Sequence, residues 1–362
     1  MKQLKIVIIA YDVFPILSAR SHRTTELAKA LVKKGCNVIL YAKLTKEYDY
    51  SCFIRETGII LKNIGNFYES DFFINNILGK IIAHLTEYPK IKLIPFIKRA
   101  IKEERDIDYL ITIAAPHVIH FGVLFSNLKR VKCWTADSGD PYMLNKIIGY
   151  HPFYFKWIEK AWCKKADFIT VPIETAKNGY YSEFINKIHV IPQGFDFSTT
   201  LNLTLYKKND IPTFAYSGTC YKPGRDITPF LKYLSSLDNE FLFIVYTKSY
   251  SLFEPYEKKL GRKMEIREYV SRDILLNELS KMDFLINIKN ESKIQQPSKL
   301  IDYYFTKRPI LEITSSFKEE NTFNEFLDEN YMNKLEEKDI SIYDISNVAN
   351  KFIELYYLKN EK

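Results

Sequence analysis

The sequence predicts an α/β protein built from two doubly wound, Rossmann-like parallel sheets facing across a cleft. Short apolar strands alternate with amphipathic helices, the pattern of a parallel sheet covered on both faces. The alternation stops at a polar spacer, STTLNLTLYKKNDIP (198–212), and then restarts. The length, 362 residues, also exceeds what one core usually holds. The expected division is 1–196, 197–345, and a C-terminal helix within 346–362 whose candidate host is the N-terminal domain.

In the first half, LKIVIIAY reads as a strand, RTTELAKALVKKG as a helix ended by Gly35, and CNVILYAK as the next strand. DYLITIAA, a helical VIHFGVLFSNL, VKCWTAD, a helical FYFKWIEKAWCKKA, ADFITVP and KIHVIP follow. After the spacer come TFAYSGT, the helix ITPFLKYLSSL, EFLFIVYT, the helix RDILLNELSKM and the strand DFLINIKN. PSKLIDYYFTK is a helix, with Leu300, Ile301, Tyr304 and Phe305 as its apolar stripe, Ser298 as its N-cap after Pro297, and Pro309 beyond its end. PILEIT and a terminal helix, roughly Ser346 to Leu358, complete the series.

The opening MKQLKIVIIAYDVF is too short in apolar run for a signal peptide, since Asp12 follows Ala10 closely, and reads as a buried strand. No stretch reaches the roughly 18 apolar residues of a spanning helix, so a cytoplasmic protein without an integral anchor is expected. Five scattered cysteines with no C-x-x-C pair argue against disulfides and zinc and favour a reducing compartment.

The excess positive charge lies wholly in the first half: residues 1–196 carry 28 Lys and Arg against 19 Asp and Glu, and residues 197–362 carry 24 against 25. It is densest in KIIAHLTEYPKIKLIPFIKRAIK, where Lys80, Lys90, Lys92, Lys98, Arg99 and Lys102 interleave with Ile, Leu and Phe. An anionic bilayer or an anionic lipid-linked substrate suits such a surface, and a solvated helix face is the plain alternative. No nucleic-acid-binding motif accompanies the charge, so nucleic acid is not an expected partner.

A dinucleotide oxidoreductase would carry G-x-G-x-x-G after its first strand, where this chain has AYDVFPILSARSHR. A P-loop is also absent. The ordered segments SARSHRTTELAKALVKKG, TADSGDPY, KADFITVP, KIHVIPQGFDF, AYSGTCYKPGRD, DFLINIKN and PSKLIDYYFTKRPIL instead resemble the retaining glycosyltransferases of the GT-B fold, especially glycosyltransferase family 4. The resemblance covers nearly the whole chain.

It implies transfer of a sugar from a nucleoside-diphosphate donor, held by the second domain, to a glycan or lipid-linked acceptor held by the first. The setting it suggests is bacterial surface polysaccharide assembly (O-antigen, capsule or exopolysaccharide), at the inner face of the cytoplasmic membrane. Pro297, Ser298 and Lys299 would bring the helix N-terminus and one full charge to the diphosphate. Asp302 would accept from the ribose hydroxyls. Lys222 and Arg225 would add cations, and Gly218 would let the backbone approach the ligand. With those cations no metal or other cofactor is expected. Base selection would use backbone contacts near Tyr269 and Val270. In the first domain Ser18, Arg23 and Asp137 are acceptor candidates, His117 a polar contact to sugar, and Asp140 a further catalytic candidate or a turn residue. One departure stands out: the family's first carboxylate position is Ile294, with Glu291 nearby, which weakens the inference that configuration is retained. A nucleotide-sugar epimerase and a non-catalytic nucleotide-sugar-binding protein are the competing readings.

Overall fold

A run as apolar as KIVIIA tolerates burial on both faces, and β1 (Lys5–Ala10) has five of its six residues buried. The architecture comes from a computed structural model that describes residues 3–16, 18–65, 75–144, 151–197, 203–220, 225–268, 270–289, 299–336 and 339–361, with the backbone alone of Lys299. The chain divides into two compact units, Met1–Phe197 with Ile342–Lys362, and Ser198–Ser341.

In the first unit, β1 is followed by α1 (Ala19–Lys33), β2 (Asn37–Ala42), α2 (Ser51–Thr57), β3 (Ile60–Asn63), α3 (Ile77–Thr86) and α4 (Leu93–Glu103). Next come β4 (Ile107–Ala114), α5 (Val118–Leu124), β5 (Val131–Ser138), α6 (Phe155–Lys165), β6 (Phe168–Val171) and β7 (Ile188–Val190). The sheet order is β3-β2-β1-β4-β5-β6-β7, and every pairing is parallel. The Ser18 side chain caps α1 by accepting from the Ser21 N–H, and Gly35, at φ 82°, follows the helix end as its sequence pattern requires.

The second unit runs β8 (Thr213–Ser217), α7 (Thr228–Leu234), β9 (Leu242–Tyr246), α8 (Tyr250–Leu260), β10 (Met264–Arg267), α9 (Arg272–Leu279), β11 (Phe284–Ile288), α10 (Lys299–Thr306), β12 (Ile310–Ile313) and α11 (Glu320–Leu327). Its parallel sheet has the order β10-β9-β8-β11-β12. One side of that sheet is an aromatic core, with Phe214 stacked on Phe243 and Phe284 and edge-on to Phe323.

The last helix, α12 (Ile345–Asn360), belongs to the first unit, where Ile345, Val348, Ala349, Phe352 and Leu355 join the β1–β2 core. The segment IPQGFDF meets its start: the Phe195 N–H donates to the Tyr343 carbonyl at 2.8 Å, and Ile345 N–H to the Phe195 carbonyl at 2.9 Å. A Cβ on Gly194 would lie 2.4 Å from the Cδ1 tip of Ile345 and 3.2 Å from its Cα, so any other residue here would make the Ile345 side chain shift.

In α10 the sequence stripe is corrected at one position. Tyr303 is fully buried and Phe305 only half-buried, because the helix turns its Tyr303 face toward the end of β8.

Candidate functional site

In the second unit the strand order reverses at β8, with β9 and β10 on one side and β11 and β12 on the other. The carboxyl end of β8 is therefore the switch point where such sheets bind ligands. Just past Ser217, Gly218 has φ 131°, a conformation side chains rarely adopt, and its N–H donates to the Tyr246 carbonyl at 2.9 Å. α10 is fastened here through its fifth residue: the Tyr303 hydroxyl accepts from the Ser217 N–H at 2.8 Å. α10 is thus tied to the end of the central strand, and the first-turn N–H groups and dipole of a helix so placed suit an anion.

Arg225 lies in the loop after β8, partly exposed, with its guanidinium donating to the Thr219 carbonyl at 3.4 Å. Asp302 is three residues into α10, and Arg272 Nε, at the head of α9, donates to its Oδ1 at 2.7 Å. Burial raises the Asp302 pKa and the Arg272 charge opposes that rise. Pro297, Ser298, Lys222, Ile294, Glu291 and Tyr269, and the side chain of Lys299, lie outside the described residues. The sequence reading missed Arg272 and Tyr303. Arg272 had no visible signal, whereas a tyrosine beside an apolar stripe at a helix start is a recognisable candidate for a buried hydroxyl contact.

In the first unit the carboxyl ends of β1, β4 and β5 carry Asp12, His117 and Asp140. Ser18, offered as an acceptor residue, accepts from the Ser21 N–H and donates its hydroxyl to Asp12 Oδ2 at 3.0 Å. Arg23 and Asp137 need correction as acceptor ligands, because each is 2% exposed and committed to the other. Arg23 donates from Nε to Asp137 Oδ2 at 3.2 Å, from Nη2 to Oδ1 at 2.9 Å, and also to the Ile191 and Pro192 carbonyls. Thr170 donates to Asp137 Oδ1 at 2.7 Å. This network locks α1 to β5 and β6. Burial works against ionised Asp137, but Arg23 and Arg20 prevail and hold its pKa below the usual range.

The arginine that reaches the strand ends is Arg20, also missed by sequence. Its guanidinium lies 3.7 Å from Asp137, and a Cβ on Gly139 would stand 2.6 Å from its Cζ. The glycine of TADSGDPY is what admits Arg20 to this loop.

His117 packs against Tyr142 and His120, at ring distances of 4.9 Å and 5.7 Å. Burial, aided by the His151 charge, pushes its pKa down to about 3, so the ring is neutral. Its Nε2 lies 3.1 Å from the Asp140 carbonyl, which assigns the proton to Nε2. Nδ1 is then an acceptor, buried and without a partner among the described residues. A neutral imidazole of this kind accepts a hydroxyl hydrogen bond well and is a poor proton acceptor in catalysis. Asp140 contributes its backbone carbonyl to that contact. Among the described residues, no group of three or more His, Cys, Asp or Glu is placed to hold a metal ion.

Two parallel sheets, each wound with helices and the second bearing an anion-ready switch point, define the GT-B fold. No protein family is matched by the sequence, and no curated protein matches it. Solved structures do match. A glycosyltransferase from Rickettsia africae ESF-5 superposes with a TM-score of 0.62 at 12% identity, covering 100% of both chains. Anabaena HepE in complex with UDP and glucose gives 0.60 at 8% identity over 99% of each chain. The lipopolysaccharide outer core galactosyltransferase WaaB gives 0.56 at 13% identity over 99% of this chain and 98% of that one. At such identities the likeness is one of fold.

Proposed function

We propose that the chain is a glycosyltransferase that moves a sugar from a nucleoside-diphosphate donor to a glycan or lipid-linked acceptor in bacterial surface polysaccharide biosynthesis, with retention of configuration. The observation that carries this reading is the switch point of the second unit. There Gly218 with its positive φ, Arg225 and the helix α10 tied down by Tyr303 gather at one strand end, and Asp302 stands on the same helix. An anionic diphosphate suits the first three, and a ribose diol suits the carboxylate. Lys299 is assigned to the departing diphosphate, with Pro297, Ser298 and Lys222 beside it. His117 Nδ1 is assigned to a sugar hydroxyl. No metal or other cofactor is needed in this reading, since cations and helix dipole balance the diphosphate.

HepE was solved with UDP and glucose, and WaaB is described as a galactosyltransferase of the lipopolysaccharide outer core; both support a nucleotide-sugar donor and a surface-glycan setting. Peripheral attachment to an anionic membrane face is part of the proposal, resting on the excess positive charge of the first half. No helix among the described residues is long and apolar enough to cross a membrane.

The test is a thermal-shift screen with UDP, GDP, TDP, ADP and CMP, followed by donor turnover with and without a polyprenyl-diphosphate-linked glycan. A cognate nucleotide at a hundred times its Kd should stabilise by about 2.7 kcal/mol. Product should form only when acceptor is present. Turnover to an isomer without acceptor would convert the reading to an epimerase, and no stabilisation by any nucleotide would remove the donor site.

A further inference from the structure

The basic stretch of the first unit does not present the apolar face that its sequence suggests. In α4 the residues between the lysines, Leu93, Ile97, Ala100 and Ile101, are buried, and Ile97 packs closely on Gly122 of α5. The exposed apolar surface lies next door. α3 buries only Gly79, and along one side it exposes Ile77 (79%), Leu78 (58%), Ile81 (49%) and Leu85 (45%). The Tyr154 hydroxyl donates to the Leu85 carbonyl, joining α3 to the start of α6. There Phe153 (74% exposed) and Trp157 (65%) stand 6.0 Å apart, edge to face. Trp157 in turn borders an open depression of about 590 Å³ whose walls include Lys160 and Lys164.

Isolated exposed apolar side chains are ordinary, but four aliphatic residues on one side of a helix, with two exposed aromatic residues on the element bonded to its end, are not. The flanking charge identifies what covers it. α3 contains Lys80 and no acidic residue, Lys90 and Lys92 follow it after the cap residue Glu87, and Lys164 and Lys160, the latter paired with Glu183, sit beside Trp157. An apolar face with aromatic residues and a lysine rim matches the layered chemistry of an anionic bilayer surface.

We infer that the first unit docks on an anionic phospholipid bilayer by inserting the exposed face of α3 together with Phe153 and Trp157, while the surrounding lysines meet the headgroups. This rests on the peripheral attachment proposed above and names the element that enters the lipid.

The protein supplies its own probe. Of its three tryptophans, Trp134 and Trp162 are at most 1% exposed, so Trp157 alone is open to solvent. The full chain is mixed with phosphatidylcholine–phosphatidylglycerol vesicles with or without brominated acyl chains, and bound protein is measured in parallel by co-sedimentation. In the free chain, iodide should quench the Trp157 emission; with vesicles, that same component should shift to the blue, escape iodide and be quenched by bromine. Ile77→Ser with Phe153→Ser, which leaves the charge unchanged, should lower vesicle affinity by roughly tenfold per side chain. Co-sedimentation that persists without bromine quenching and is lost on charge reversal at Lys90, Lys92 and Lys98 would overturn insertion but keep electrostatic attachment. Loss of all co-sedimentation overturns both. Trp157 shielded from iodide in the free monomer, or shielded in a dimer that forms with rising concentration, would show the face covered by this chain or a second copy and refute the inference.

Discussion

Glu159, in the middle of α6, should make the first unit lose stability as pH rises through neutrality. The side chain is 0% exposed; Oε1 accepts the Met143 N–H at 3.3 Å, and Oε2 has no partner among the described residues. It makes no ion pair there, so burial dominates and moves its pKa from 4.5 to about 7, against the pull of the Met143 and Tyr142 N–H groups. The folded state then holds a proton that the unfolded chain releases. The stabilising term is complete below the unfolded pKa of 4.5 and is lost as pH rises through about 7. At about 1.4 kcal/mol per unit, its full size is about 3 kcal/mol. All three tryptophans lie in this unit, so their fluorescence follows its unfolding in urea at several pH values between 5 and 8. Buried neutral His117 and His120 give the opposite slope, because burial depresses their pKa values and their contribution is lost as pH falls. Comparison with Glu159→Gln cancels that slope: wild type should lose about 3 kcal/mol relative to the variant between acid and alkaline limits. Parallel curves for the two proteins would refute a proton on Glu159.

Three further outcomes are expected. Lys299→Ala should cut turnover strongly and weaken donor binding with the fold intact, as checked by steady-state kinetics and circular dichroism; near-normal activity would remove its diphosphate role. Asp302→Asn should weaken nucleotide binding by about 1–3 kcal/mol in calorimetry, the loss of a charge-assisted acceptor; unchanged affinity would leave Asp302 as the partner of Arg272 only. Asp137→Asn should destabilise the first unit by about 3–5 kcal/mol, because it strands the Arg23 charge in a 2% exposed site; tryptophan-monitored urea unfolding would detect it, and a loss below about 1 kcal/mol would show that Arg23 finds other compensation.

The strands at the middle of each sheet were legible because burial on both faces leaves an unbroken apolar run, as in KIVIIA and FLINI. The edge strands β3 (ILKN) and β10 (MEIR) escaped the sequence reading for the complementary reason. Each has one neighbour and mixed exposure, so lysine, asparagine, glutamate and arginine break the run and no periodicity survives four residues. α12 was legible as a helix, with the first unit as its candidate host, but the contacts that place it there were not. The apolar face that fits the β1–β2 core says nothing of which core it meets; the Phe195–Ile345 backbone pairing and contacts such as Lys359 with Asp167 fix the return.

The candidate site shows the same limit in its polar residues. An arginine three positions from another looks equivalent to it in sequence, yet α1 sends Arg23 inward to Asp137 and leaves Arg20 at the strand ends beside Gly139. The same applies to the apolar residues of the basic stretch: α4 turns its Leu93, Ile97 and Ile101 inward, and α3 leaves Ile77, Leu78, Ile81 and Leu85 facing out. Interleaving reports that a helix has two faces; which face is covered depends on neighbours distant in sequence, here α5 and the start of α6. What is exposed on the basic side of the first unit is therefore the hydrophobic part of α3 with Phe153 and Trp157, so the proposed membrane attachment stands or falls on those side chains, with the lysines as their rim.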